Sequence, residues 1–335
     1  MPLSSLQVAF LGPPASFSHQ AAAESFRRAT ADLVPHVSFA DAFAAVQRGD
    51  ADYAVIPFEN STNGSVVQTL DLLADRNDLY KDVKVCGEYY LTVHHCLVVR
   101  KGSYPGGLPS YDGSITKLYT HPQAWGQCDM FLSRYFKGVE RQDVSSTSKG
   151  AEIVAKDTAE QGGAIASRFA AEYHGNGILA ENIEDRSDNT TRFLILRNIQ
   201  SLRTGEGYHQ SLSIPPYLSA PAPAPASDPA PGQPQSETTH KTLISFSINH
   251  SSPGALASAL LIFKAQGLNL TSINTRPSLK RAWQYIFFVE CGRQPSNENK
   301  DAVLKALNDL RMVAESCRDL GTWRDQLGAE TLQDV

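Results

Sequence analysis

Two short segments place small polar side chains beside apolar runs: residues 188–194, DNTTRFL, and residues 57–64, PFENSTNG. Hydroxyls and carboxamides donate and accept hydrogen bonds without carrying charge, and a guanidinium offers a planar fork to carboxylates. Neither segment holds a histidine or a group of metal-ligating side chains. The combination suits a pocket for a small, multiply charged organic anion, with protons supplied by hydroxyls and amides. A bland reading stands beside it: Thr191-Arg192 can simply open a strand, and NSTNG can simply be a turn, since Asn and Gly favour such conformations. Residues 120–128, THPQAWGQC, add Thr120, Gln123 and Gln127 around a helix start, where free backbone donors suit an anion.

These residues need a scaffold, and the chain is long enough for one. Its 335 residues are 41% hydrophobic and 19% charged, enough for two or three cores. A formal net charge of -5 gives no general attraction to nucleic acid or to an anionic membrane. The first residues, MPLSSLQVAFLGPPASF, lack a basic segment before the apolar stretch, so no secretory signal is expected. No apolar run reaches the roughly 18–20 residues that span a bilayer. The cysteines (Cys86, Cys96, Cys128, Cys291 and Cys317) are odd in number, widely spaced and without a CxxC, which argues against a disulfide framework or structural zinc. A cytoplasmic location is the expectation.

Residues 201–238 read as a linker. Eight of the chain's 19 prolines fall between Pro215 and Pro234, and each fixes φ and removes a backbone donor. Before it, apolar runs at 6–11, 34–39, 53–57, 83–90, 93–99, 114–119, 139–144, 163–166 and 192–196 read as strands. Stretches at 18–29, 41–48, 65–75, 123–136 and 148–157 read as helices. The alternation predicts an α/β region, with a first lobe over about 1–99 and 178–200 and an inserted lobe over about 100–177. A ligand cleft is expected between the lobes. After the linker, residues 239–326 predict a ferredoxin-like β-α-β-β-α-β unit, with strands at 241–248, 268–275, 284–290 and 312–316 and helices at 254–265 and 300–310.

Four motifs in order, LGPPASFSHQAA at 11–22, DYAVIPFENSTNGSV at 52–66, THPQAWGQC at 120–128 and NTTRFLIL at 189–196, resemble the prephenate dehydratase family. SSPGAL at 251–256 and LNLTSINTRP at 268–277 extend the likeness to its two-part form, which carries a C-terminal ACT regulatory domain. The resemblance covers about 6–200 and 240–325. It implies a catalytic region like a type II periplasmic binding protein, two α/β lobes around a cleft. It also implies a reaction in which prephenate loses carboxylate and hydroxide to give phenylpyruvate, CO2 and water. Aromatisation drives that reaction, so no metal or other cofactor is expected.

By the same resemblance Thr191 is the leading catalytic residue, donating to the departing oxygen. Asn60 is expected to orient a carboxylate or hydroxyl, and Gln127 to fix the substrate or polarise the leaving group. Arg192, Ser61, Thr120, Ser18 and Thr147 are expected substrate contacts, Arg192 as a carboxylate fork. Glu59 is also assigned to the site, ordering its loop through backbone donors or an arginine. Gln123 is expected to support its motif from outside the pocket. His121, His94 and His95 are read as hydrogen-bonding or packing groups. Ala15-Ser16 departs from the family's usual Gly-Thr, and Ala15 lacks glycine's access to positive φ.

The C-terminal unit is expected to bind L-phenylalanine through Pro253, Gly254, Ala255, Leu256, Asn274 and Arg276, and to pair as a homodimer or homotetramer. Asn274-Thr275 stands where the family usually has Glu-Ser. Two alternatives remain: an arogenate dehydratase, whose substrate carries an ammonium, and a non-catalytic amino-acid or organic-anion sensor.

Overall fold

The computed structural model describes residues 5–26, 31–104, 113–158, 161–204, 239–293 and 301–327. Most of the Pro-rich linker, 205–238, lies outside the described residues, as do 27–29 of the helix expected at 18–29 and Lys300 of that expected at 300–310.

The first lobe begins β1 (Leu6–Leu11), α1 (Phe17–Ser25), β2 (Ala31–His36), α2 (Phe39–Arg48), β3 (Tyr53–Asn60), β4 (Gly64–Ser65), α3 (Val67–Ala74) and β5 (Val83–Thr92). The chain returns to it in β11 (Thr190–Asn198). The sheet order is β2-β1-β3-β11-β5, with β4 paired to β3. β1 runs parallel to β2 and β3, whereas β11 is antiparallel to both neighbours. The apolar run Tyr53–Ile56 is fully buried, as a central strand covered on both faces requires.

The second lobe holds β6 (Cys96–Val99), β7 (Lys117–Thr120), α4 (Pro122–Gln127), α5 (Asp129–Tyr135), β8 (Glu140–Asp143), α6 (Thr147–Ala155), β9 (Gly162–Ala166), α7 (Arg168–His174) and β10 (Gly177–Ala180). Its sheet order is β10-β6-β9-β7-β8. The strand expected to end the first lobe, β6, therefore belongs to the second sheet, and so does β10. The crossovers fall at 93–95 and 181–189 rather than near 99 and 178. They run side by side, with Val93 N–H donating to Asn189 O (2.7 Å) and Ile183 N–H to His95 O (3.0 Å). The single helix expected at 123–136 is two, broken at Cys128. Asp185, from the second crossover, accepts from the backbone N–H groups of Asp129 and Met130 and so caps a new helix start.

The C-terminal unit is β12 (His240–Ser247), α8 (Ala255–Ala265), β13 (Leu268–Pro277), β14 (Tyr285–Arg293), α9 (Ala302–Val313) and β15 (Ser316–Arg324), in sheet order β13-β14-β12-β15. The closing strand expected at 312–316 begins instead at Ser316, because α9 runs on through Val313. Strand alternation divides its side chains between two neighbours. Ile244 and Phe246 of β12, with Phe287 and Val289 of β14, pack against Ala259, Phe263, Ala306 and Leu310 of α8 and α9. Leu243, Phe288, Leu320 and Trp323 join the core of the first lobe. At Gly321, φ is 128°, and an added Cβ would overlap the Val85 carbonyl oxygen of β5. Only glycine permits that backbone approach.

Candidate active site

A cleft of about 680 Å³ opens between the two lobes. The first lobe contributes Ser16, Ser18, Asn60, Ser65 and Thr191; the second contributes Gln123, Gln127, Ser146 and Thr147; His95 enters from a crossover. Among the described residues, no lysine or arginine lines it. Its affinity for an anion must come from backbone and neutral side chains. Five helices, α1, α2, α3, α4 and α6, start at its wall. α1 and α6 are capped by Ser16 and Ser146, whose hydroxyls accept from the N–H groups of His19 and Lys149, and α3 begins at Val67. Helix N-termini carry partial positive charge and unpaired N–H donors, so they attract carboxylates where no guanidinium reaches.

Thr191 and Asn60 face each other across the β11–β3 ladder. Asn60 Nδ2 donates to Thr191 Oγ1 (3.0 Å) and to Asn189 Oδ1 (2.8 Å). Its Oδ1 accepts from the N–H groups of Thr62 and Asn63. Asn60 is thus occupied in holding Thr191 and the 61–63 turn, which differs from the direct substrate contact expected of it. Because Thr191 Oγ1 accepts from an amide, its own hydrogen is left to donate, and no acceptor for it occurs among the described residues. Asn189, assigned no role from sequence, anchors this arrangement: it is buried and also accepts from Thr62 Oγ1 (3.3 Å).

Arg192 is not at the cleft. Adjacent strand residues point to opposite faces, so Thr191 and Arg192 cannot both reach it. Arg192 is buried between the first lobe and the C-terminal unit. Its Nε donates to Glu88 Oε2 (2.8 Å), its Nη1 to Glu59 Oε1 (2.9 Å) and its Nη2 to Glu290. Phe58, Tyr90 and Trp323 surround the guanidinium. Although burial opposes its charge, Glu88 and Glu290 hold its pKa above the ordinary arginine value. Lys241 joins the cluster through Glu88 (3.3 Å) and Asp325 (2.9 Å). Glu59 is consumed by Arg192, in line with the arginine partner expected of it, and is not among the cleft-lining residues.

Two more expected contacts lie elsewhere. Ser61 Oγ accepts from Thr190 N–H (2.9 Å), closing the ladder beyond the cleft. Thr120 is fully buried at the end of β7, and its hydroxyl donates to Ile165 O (2.8 Å), so it neither caps α4 nor meets solvent. The cap is His121, which accepts from Gln123 N–H (3.4 Å). Gln123, expected outside, lines the cleft, while Ser18, Thr147 and Gln127 line it as expected. Ala15 adopts φ 62°, the left-handed region, despite its Cβ, and its N–H donates to His19 Nδ1 (2.9 Å).

From sequence, His95 is expected to be a packing or loop group. It lines the cleft, is 1% exposed, and its Nε2 lies 2.8 Å from Gln127 Oε1. Burial lowers its pKa below the ordinary histidine value, which keeps the ring neutral near pH 7. The contact joins residues 32 apart in sequence. Among the described residues no group of three or more His, Cys, Asp or Glu side chains could hold a metal ion, and no helix is long and apolar enough to cross a membrane.

The expected regulatory residues divide. Pro253 and Gly254 are exposed before α8, whereas Ala255 and Leu256 are half-buried against its core. Asn274 and Arg276 turn to the first lobe. Ser65 Oγ, on the cleft wall, donates to Asn274 Oδ1 (2.6 Å), and Arg276 makes a two-point contact with Asp71. Arg276 therefore organises a contact between units.

Comparison with known proteins gives the lineage. The profile described as PDT, prephenate dehydratase, matches residues 8–201. The chain belongs to the prephenate dehydratase family. A bifunctional chorismate mutase/prephenate dehydratase from Aquifex aeolicus is 34% identical over 318 residues, covering 95% of this chain and 73% of that protein. Arogenate dehydratase 2 from Petunia hybrida is 30% identical over 339 residues, covering 97% and 73% respectively. Among solved structures, the prephenate dehydratase from Arthrobacter aurescens in complex with L-Phe is 26% identical, with TM-score 0.72 over 96% of this chain and 90% of that one. GqqA, described as a novel type of quorum quenching acylase, is also 26% identical, with TM-score 0.71 over 96% and 98%.

Proposed function

We propose that this family member is a prephenate dehydratase acting in L-phenylalanine biosynthesis. The carbon–carbon bond to the ring carboxylate breaks and its electron pair enters the ring. The C–O bond at the opposite carbon breaks, the oxygen takes a proton, and phenylpyruvate, CO2 and water leave. The observation that carries this reading is the Thr191 hydroxyl, held by Asn60 with its hydrogen free, in a cleft whose lining, among the described residues, carries no lysine or arginine. In this assignment Thr191 donates to the departing oxygen as negative charge grows on it. Such a preorganised donor acts without reorganising at the moment of reaction. The Gln127 amide supplies a second donor, and the N-termini of α1, α3 and α6, with Ser18 and Thr147, receive the two carboxylates.

An acylase reading, suggested by the likeness to GqqA, requires a base beside the nucleophile. Thr191 Oγ1 instead accepts from an amide donor, which cannot take its proton. The C-terminal unit is assigned as an ACT domain that binds L-phenylalanine and pairs two chains. Its support is the ferredoxin-like strand order and the L-Phe complex of the Arthrobacter relative. The contact between Ser65 and Asn274 gives it a direct route to the cleft wall. The test is turnover of prephenate and of arogenate, each with and without L-phenylalanine. Phenylpyruvate from prephenate, suppressed by L-phenylalanine, is expected. Turnover of arogenate alone moves the substrate assignment, and binding of either without turnover replaces the enzyme with a sensor.

A further inference from the structure

We infer that His95 is a positioning residue for the dehydration, acting through Gln127; this rests on the reaction assigned above. A carboxamide oxygen only accepts hydrogen bonds. Facing Gln127 Oε1 at 2.8 Å, His95 Nε2 must carry the proton, which leaves Nδ1 bare. The bond holds Gln127 by its oxygen and frees both hydrogens of its Nε2 for the cleft. Gln127 sits at the C-terminal end of the short helix α4, where its backbone O also accepts from Asp185 N–H (2.7 Å). Its side chain is otherwise unpartnered among the described residues, so without His95 the amide would rotate freely between donor and acceptor orientations.

The backbone of His95 is held from two sides, and its ring is packed by an aromatic neighbour. His95 N–H donates to Glu184 Oε2 (2.8 Å), its carbonyl accepts from Ile183 N–H, and Phe17 packs edge-on at 5.8 Å. Yet Nδ1 is buried with no hydrogen-bond partner. An apolar side chain would fill the same space without an orphaned acceptor, whose burial costs folding free energy. The imidazole is retained for what Nε2 does, and Nε2 does one thing: it orients Gln127. The residue lies in the crossover between lobes, while Gln127 belongs to the second lobe, so the bond also fixes the amide relative to Thr191 across the cleft.

The experiment is a double-mutant cycle on the full chain, with kcat and KM measured on prephenate for the wild type, His95→Leu, His95→Gln, Gln127→Ala and His95→Leu/Gln127→Ala. Misplacing a catalytic donor by about an ångström costs on the order of 10²-fold. His95→Leu is expected to lose that factor mainly in kcat. His95→Gln restores a donor at the Nε2 position and recovers at least about ten-fold of the loss. In the Gln127→Ala background His95→Leu adds less than about three-fold, because residues acting as a unit are not additive. Losses that multiply in the double variant overturn the proposal, as does a folded His95→Gln no better than His95→Leu. If the wild type does not turn over prephenate, the reaction assignment fails and the positioning bond is read from the ¹⁵N spectrum of labelled histidine. A proton on Nε2 whose signal shifts in Gln127→Ala supports it; a signal indifferent to Gln127 overturns it.

Discussion

Arg192→Met removes the cation on which the union of catalytic and C-terminal units turns. Three carboxylates lose a partner, but unequally. Glu59 is 33% exposed at its side chain, so water replaces the guanidinium. Glu88 is fully buried but keeps Lys241 at 3.3 Å and the Gln326 N–H at 2.9 Å. Glu290 is 3% exposed and, among the described residues, keeps only the Thr271 hydroxyl, at 2.8 Å. The loss therefore falls on one buried carboxylate stripped of its cation, which costs about 3–5 kcal/mol. Urea unfolding, followed by far-UV circular dichroism and by tryptophan fluorescence, measures it; Trp323 lies 5.9 Å from the guanidinium and reports this interface. Arg192→Met/Glu290→Gln should lose less than the sum of its single variants, with a coupling of about 1–3 kcal/mol. A single variant within about 1 kcal/mol of wild type, or strict additivity, refutes the assignment of Arg192 to this buried cluster.

Three further outcomes follow from the same geometry. Gly321→Ala forces a methyl into the Val85 carbonyl and should cost at least about 1–3 kcal/mol by overpacking alone; an unchanged urea midpoint contradicts the close approach. Stability should fall as pH drops from 7 to 5. Burial depresses His95, so above about 6.5 both states are neutral, and below it the unfolded chain binds a proton that the native state refuses. The slope reaches about 1.4 kcal/mol per pH unit for this residue, and His95→Gln should flatten the curve; identical curves contradict the buried neutral ring. Asn274→Ala breaks the bond to Ser65 and should weaken the response of turnover to L-phenylalanine about five-fold or more while basal turnover changes less; an intact response removes that contact from the coupling route.

The α/β alternation and the βαββαβ order are legible in the chain because buried strands such as 53–56 are continuous apolar runs. Assignment of a strand to a sheet is not. Cys96–Val99 carries no mark of its partners, which are β9 and β10. The break at Cys128 depends on Asp185, and the His95–Gln127 bond joins separate elements, so neither has a local signature. Thr191, Ser18 and Thr147 reach the cleft because loop-to-helix and strand-end positions converge there, and Gln127 reaches it from the C-terminal end of α4. Arg192 failed for a reason already present in the sequence: strand alternation forbids it the face that Thr191 occupies. One of its three carboxylate partners, Glu290, lies 98 residues away in the C-terminal unit.

The most direct test of the account is the turnover number of wild type and Thr191→Val on prephenate, in chelator-treated protein with no added cofactor. Valine keeps the shape of threonine and removes the hydroxyl, both the hydrogen it would donate and the oxygen that accepts from Asn60 Nδ2. The wild type should release phenylpyruvate and CO2 in equal amounts. Thr191→Val should lose about 10²–10³-fold in kcat, the range for a preorganised donor, while its stability changes by no more than about 1.5 kcal/mol. A folded Thr191→Val with near-wild-type turnover would contradict the central claim that this hydroxyl drives the departure of the oxygen.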